Sequence, residues 1–279
     1  MHRIDAIRVM APLFNCAETL RTFIQNGDGL IRPIITMQRF FARKQVDFEF
    51  FALNDGSTDE GAQILDQLAH DLPWFHHMES DGHYGIITTL RAGYSMMLDG
   101  HTLKHVPYQN VALIRLNANL EHDPWHILSL VSSITDHPNH GAVYQLRYQT
   151  EHQPAFSYSL NGVMSLFQHH SIGPPQGHFH QSCPQYNAYR GDAINNLLPL
   201  YDSYIQIYAR EYGRLPECGA DLIMLFLAYS QRYRIDCTLS SISVRQAPYQ
   251  SIDMLLREVN TNTGHFLLMQ KIKQGQYVL

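Results

Sequence analysis

Two short polar stretches, Asn54-Asp55-Gly56-Ser57-Thr58-Asp59 and Asn117-Ala118-Asn119-Leu120-Glu121, hold the residue types with which this chain could do chemistry. Each follows an apolar run, Phe48 to Leu53 and Val111 to Leu116, that reads as a buried strand. Polar groups at the carboxyl ends of parallel strands stand where open α/β sheets bind their ligands. Asp55, next to Gly56, could accept hydrogen bonds from a ligand or close an Asx turn. Asn117 and Asn119 could turn carbonyl oxygens to a ligand or satisfy turn backbone after the strand. Asp221 opens the apolar helix Leu222 to Ala228, where a carboxylate can take a proton or simply favour the helix dipole.

The elements that must position these residues alternate. Ile4 to Ala11 reads as a first strand, stopped by Pro12, and Glu18 to Phe41 as helical, broken near Asn26-Gly27-Asp28-Gly29 and Pro33. Thr58 to His70 reads as a helix and Trp74 to Met78 as a short strand. Gly82-His83-Tyr84-Gly85 leads into a helix through about Leu98, and Pro124 to Thr135 is helical with Pro in its first turn. Such alternation predicts a mostly parallel sheet. After Ala142 the pattern changes. Ala142 to Tyr148 and Phe156 to Phe167 read as strands, and His169 to Tyr186, rich in Gly, Pro, His and Gln, as a long loop. Helical patterns return at Asp192 to Leu198, Tyr201 to Tyr212 and Gly219 to Gln231, followed by a β-rich run at Ile235 to Val244. The expected organisation is one domain over residues 1–255, in halves 1–123 and 124–255, with an amphipathic tail over 256–279.

With 279 residues, 45% of them hydrophobic, the chain can bury one substantial core. A net charge of −5 argues against a broad nucleic-acid-binding surface. No apolar run reaches the roughly 18 residues of a membrane-spanning helix, and Arg3, Asp5 and Arg8 do not suit a signal peptide. Cys16, Cys183, Cys218 and Cys237 form no CxxC pair, as expected of reduced thiols in a cytoplasmic protein. His169, His170, His178 and His180 with Cys183 do not match a tight zinc-chelating spacing; a flexible loop is the better reading.

Six segments, in order, resemble the family 2 glycosyltransferases of the GT-A fold, including the polyprenyl-phosphate sugar synthases. Pro12-Leu13-Phe14-Asn15 is similar to the family's Pro-x-Tyr-Asn, and Asn54 to Asp59 to its Asp-Asp-Gly-Ser-Thr-Asp. Gly85 through Arg91-Ala92-Gly93 is similar to the Gly-rich helix start beside the nucleotide-sugar. Asn117-Ala118-Asn119-Leu120-Glu121-His122 resembles Asp-Ala-Asp-Leu-Gln-His, with amides at both metal-binding carboxylates. Asn187-Ala188-Tyr189-Arg190-Gly191-Asp192-Ala193 resembles an acceptor-side segment. Gly219-Ala220-Asp221 followed by Tyr233-Arg234-Ile235 keeps the spacing of a Gly-Glu-Asp helix and its strand.

The resemblance implies a GT-A-like (Rossmann-like) α/β fold: a mostly parallel central sheet flanked by helices, with a nucleotide-binding first half and an acceptor-binding second half. It implies a nucleotide-sugar donor on Pro12, Phe14, Asn15, Asn54, Asp55, Gly85, Arg91, Asn117 and Asn119, with Asp55 reading the base or ribose. Asp221 is the expected general base, although Ala220 stands where the family has Glu. Arg190, Arg245 and Gln246 would meet the acceptor or a phosphate, Gln246 standing where many relatives place His. Mg2+ or Mn2+, if used, would sit weakly on Asn119 and Glu121, because neutral amides poorly offset the cost of stripping its water. The acceptor would be a glycan, a small molecule or a lipid phosphate, with location in the cytoplasm or peripherally at the inner membrane face. The alternative is a catalytically silent nucleotide- or glycan-binding protein; a nucleotidyltransferase lacks its Gly-rich signature.

Overall fold

The computed structural model describes residues 3–18, 20–21, 31–99, 103, 105–116, 124–136, 140–148, 187–243 and 252–279. Strand β1 (Ala6–Leu13) sets the plan, because successive side chains of a strand face opposite sides. Ile7, Val9, Ala11 and Leu13 enter one apolar layer, and Ala6 and Met10 the other. Both faces are therefore covered, as a nearly continuous apolar strand requires.

Around β1 lie β2 (Asp47–Asn54), β3 (Phe75–Glu79), β4 (Val111–Arg115), β5 (His140–Tyr148), β6 (Asn187–Arg190) and β7 (Arg234–Ser243), in the order β3-β2-β1-β4-β6-β5-β7. Strands β3, β2, β1 and β4 are parallel, β6 runs antiparallel to β4 and β5, and β5 pairs parallel with β7. The chain builds outward from β1 through β2 and β3, then lays β4 against the other side of β1. That reversal opens a crevice at the carboxyl ends of β1 and β4.

The helices are α1 (Ile31–Arg43), α2 (Gly61–Asp71), α3 (Ile86–Met97), α4 (Pro124–Thr135), α5 (Gly191–Tyr212), α6 (Ala220–Ser230) and α7 (Ile252–Lys273). Ile34 and Phe41 of α1, Leu65 of α2 and Leu130 of α4 pack on the Ile7 and Val9 face. Leu90 of α3, Tyr204 of α5, Phe226 of α6 and Leu268 of α7 pack on the Met10 face. One charge interrupts the alternation: Arg8 is fully buried, faces Glu49 in register on β2, and bonds Asp47 at 2.7 Å and Glu49 at 3.1 Å.

Two expectations change. The helices Asp192 to Leu198 and Tyr201 to Tyr212 are one 22-residue helix, α5, which runs through Pro199. Proline forfeits a backbone bond there, while a stripe of buried side chains from Ile194 to Tyr208 holds the helix to the sheet. The Asn187 to Arg190 segment, read only as a motif, is a strand wedged between β4 and β5. Helix α7 spans the segment read as an amphipathic tail, and its Thr261, Asn262, His265, Leu268 and Met269 are all buried. The expected strand at 156–167 and loop at 169–186 lie outside the described residues.

Candidate active site

At the crevice, three loops are stitched together by the polar residues of the first motifs. The Asn15 amide carbonyl accepts the Thr58 N–H at 2.9 Å, and the Asn15 N–H donates to Ser57 Oγ at 3.0 Å. Asp59 accepts the N–H groups of Ala17 (2.8 Å) and Gly61 (3.0 Å), joining the loop after β1 to the start of α2. Asn54, fully buried, closes a turn by accepting the Ser57 N–H at 3.1 Å. Gly56 has φ +67°, and a Cβ there would lie 2.4 Å from the Gly82 carbonyl carbon, so only glycine lets the second and third loops touch.

Asp55, the expected reader of base or ribose, is engaged within the protein. Its oxygens accept the backbone N–H groups of Tyr84 (2.9 Å) and Gly85 (2.8 Å), and His83 Nδ1 lies 2.9 Å away. Only 4% of Asp55 is exposed, and its oxygens hold the loop that starts α3. What the crevice presents instead is the partner it positions. The His83 ring stacks on Phe14 with centroids 4.0 Å apart, and both are about half exposed. Pro12, the last residue but one of β1, pairs with Leu53, and Gly85 is the N-cap of α3.

On the other side of β1 the centre is Asp221. Register pairs Arg115, the last residue of β4, directly with Asn187 of β6, so both side chains leave the same face of the sheet. Both converge on Asp221: Arg115 Nη1 pairs with Oδ2, and Asn187 Nδ2 donates to Oδ1 at 2.7 Å. Burial raises the Asp221 pKa above the ordinary carboxylate value, and Arg115 and Asn187 pull it back. The carboxylate is not sealed, since 17% of the side chain remains exposed. The preceding loop is braced from α7. Buried His265 donates from Nε2 to the Cys218 carbonyl (2.9 Å) and receives the Tyr204 hydroxyl on Nδ1 (3.0 Å). Gly219, at φ +87°, lies so close that a Cβ would stand 2.7 Å from that imidazole.

The two arginines expected near phosphate are each engaged in an ion pair. Arg91 makes a two-pronged ion pair with Asp202 of α5 at 2.9 and 2.8 Å and also reaches Ser95, one turn farther from the crevice. Arg190 is paired with Asp192 at 2.5 and 2.7 Å and faces Ala112, not Arg115. Three strand residues, roughly 10 Å, therefore separate it from the carboxyl end of β4. Asn117, Asn119, Glu121, Arg245 and Gln246 lie outside the described residues. Among the described residues no three His, Cys, Asp or Glu side chains group closely enough to hold a metal ion. A cation beside Asp221 would also face the Arg115 guanidinium, so the described part of the site does not fit one.

Arg115, Asn187 and His83 did not stand out in the sequence. Arg115 left a usable signal: a lone charge ending the apolar run Val111 to Leu116 has to find a buried partner. Asn187 is legible only through register, and His83 only once Phe14 is known to stack on it.

No protein-family model matches the chain, and no curated protein matches it in sequence. Solved structures do. The mannosyltransferase PcManGT from Pyrobaculum calidifontis, in complex with GDP-Man and Mn2+, superposes over 96% of this chain with a TM-score of 0.55 and 16% identity. The chain spans 64% of that protein's length. Glucosyl-3-phosphoglycerate synthase from Mycobacterium tuberculosis, in complex with Mn2+, UDP and phosphoglyceric acid, matches over 94% of this chain and 78% of its own, with a TM-score of 0.59 and 13% identity. The fold is thus the GT-A type that the motif order led us to expect.

Proposed function

We propose that the chain is a glycosyltransferase that moves a sugar from a nucleotide-sugar to an acceptor hydroxyl with inversion. The observation behind this reading is Asp221, a partly exposed carboxylate clamped at the carboxyl end of the central strand β4, two residues upstream of the Asn117-Ala118-Asn119 motif. The acceptor oxygen attacks the anomeric carbon and its proton passes to Asp221. The bond from that carbon to the diphosphate breaks on the opposite face, and its electron pair leaves with the nucleotide. The Phe14–His83 stack is suited to the flat face of a base. The uncapped N-terminus of α3 offers backbone N–H groups to the diphosphate. Amides at 117, 119 and 246 favour a reaction that depends little on divalent metal.

Incubation with UDP-glucose and GDP-mannose, followed by chromatography of released nucleotide, tests the reading. Slow donor hydrolysis that Asp221→Asn abolishes supports it. The same three amides favour one competitor, a silent nucleotide-binding protein, and tight nucleotide binding with no turnover of any donor would select it.

A further inference from the structure

Catalysis by a carboxylate needs more than its presence, because a buried carboxylate is costly to keep charged and free to rotate away. Asp221 has an answer to both problems that its own helix does not supply. Gly219, the N-cap of α6, has no side chain, and Asp221 lies in the first turn, where its own backbone N–H also reaches the carboxylate. The antiparallel β4–β6 pair sets a guanidinium and a carboxamide side by side, one for each carboxylate oxygen. Arg115 is 8% exposed and Asn187 fully buried, so both are held by packing. The other titratable groups that feel this carboxylate, Tyr94 on α3, Tyr189 on β6 and Tyr201 on α5, are buried phenols. Burial raises all three above their ordinary range, which leaves Arg115 as the cation acting on Asp221 among the described residues.

We propose that Arg115, with Asn187 beside it, is the positioning residue of this site, fixing the Asp221 carboxylate in one orientation and keeping it charged for the acceptor's proton. The proposal rests on the reading of Asp221 as the base. Arg115 acts through Asp221, its fork of N–H groups setting what that carboxylate can do. A lysine in its place would keep the charge and lose the planar geometry.

The test is a 13C NMR titration of the Asp221 carboxyl carbon, assigned by its loss in Asp221→Asn, in wild type, Arg115→Met and Arg115→Lys. It is read beside the pH profile of kcat for UDP-glucose or GDP-mannose turnover. In Arg115→Met the midpoint should rise by about one to three pH units. Over the same variant kcat should fall by about tenfold or more with KM for the donor little changed, and its acid limb should follow the NMR midpoint. Arg115→Lys should keep the midpoint near that of wild type yet lose much of kcat. An unmoved midpoint in folded Arg115→Met overturns the proposal, as does an Arg115→Lys enzyme with full kcat. A midpoint that moves while the rate profile stays fixed removes Asp221 as base, and the positioning role with it. Should wild type turn over neither donor, the transferase reading fails, while the titration still decides whether Arg115 sets the charge on Asp221.

Discussion

Two carboxylates at one sheet edge have opposite fates, decided by what their oxygens already hold. Asp55 accepts the Tyr84 and Gly85 N–H groups and is almost fully covered; Asp221 is clamped by two side chains and keeps an open face. Asp55→Ala should therefore act first on stability, leaving the part-buried Tyr84 and Gly85 N–H groups without their acceptor, at a cost of about 1–3 kcal/mol in urea unfolding. Phe14→Ala should do the reverse, weakening nucleotide binding by about 1–3 kcal/mol with unfolding little changed. Equal stability of Asp55→Ala and wild type would return Asp55 to ligand binding. For Asp221→Asn the expected result is a loss of roughly 10²–10⁴-fold in turnover with donor affinity retained. Full activity in that variant would place the base elsewhere. The polar residues of the crevice were legible as a group from the sequence. Their separate roles were not, because which N–H group a carboxylate accepts depends on loops brought together from residues 15, 55 and 84.

At the scale of elements, α7 reaches across α5 to brace the loop before Asp221. Burial holds the His265 pKa down to about 4, below the ordinary 6.5, so the folded protein keeps the ring neutral. The unfolded chain takes up a proton below about pH 6.5 and the folded chain does not. This stability is present above that pH and is lost as pH falls toward 4, by on the order of 3 kcal/mol. Urea unfolding at stepped pH should show that loss, and His265→Gln should flatten it; an identical slope in the variant would remove His265 as its source. The strands of the first half and four of the helices were readable from periodicity to within a few residues. Strand β6 was not, since four residues between a polar stretch of sequence and a long helix carry no period of their own. Helix α5 was split on paper at Pro199, where tertiary packing outweighs the lost backbone bond.

Across the whole molecule, the parallel half builds a crevice and the antiparallel insertion of β6 supplies the clamp on its far wall. Among the described residues no helix is long and apolar enough to cross a membrane. Alternating elements and six motifs in order made the architecture legible, because burial on both sheet faces imprints itself on every strand. Register and ion pairing, which join Arg91 to Asp202, Arg190 to Asp192 and Arg115 to Asp221, left almost no such imprint. The central claim is that a nucleotide-sugar lies across the carboxyl edge of β1 and β4, held with little help from metal. Isothermal titration of GDP and UDP into the protein in EDTA, repeated after Mn2+ is added in excess, tests it most directly. The account predicts stoichiometric binding of at least one nucleotide in EDTA, weakened in Phe14→Ala and changed less than about tenfold, or 1.4 kcal/mol, by Mn2+. Binding of neither nucleotide, or binding that appears only when Mn2+ is present, would contradict it.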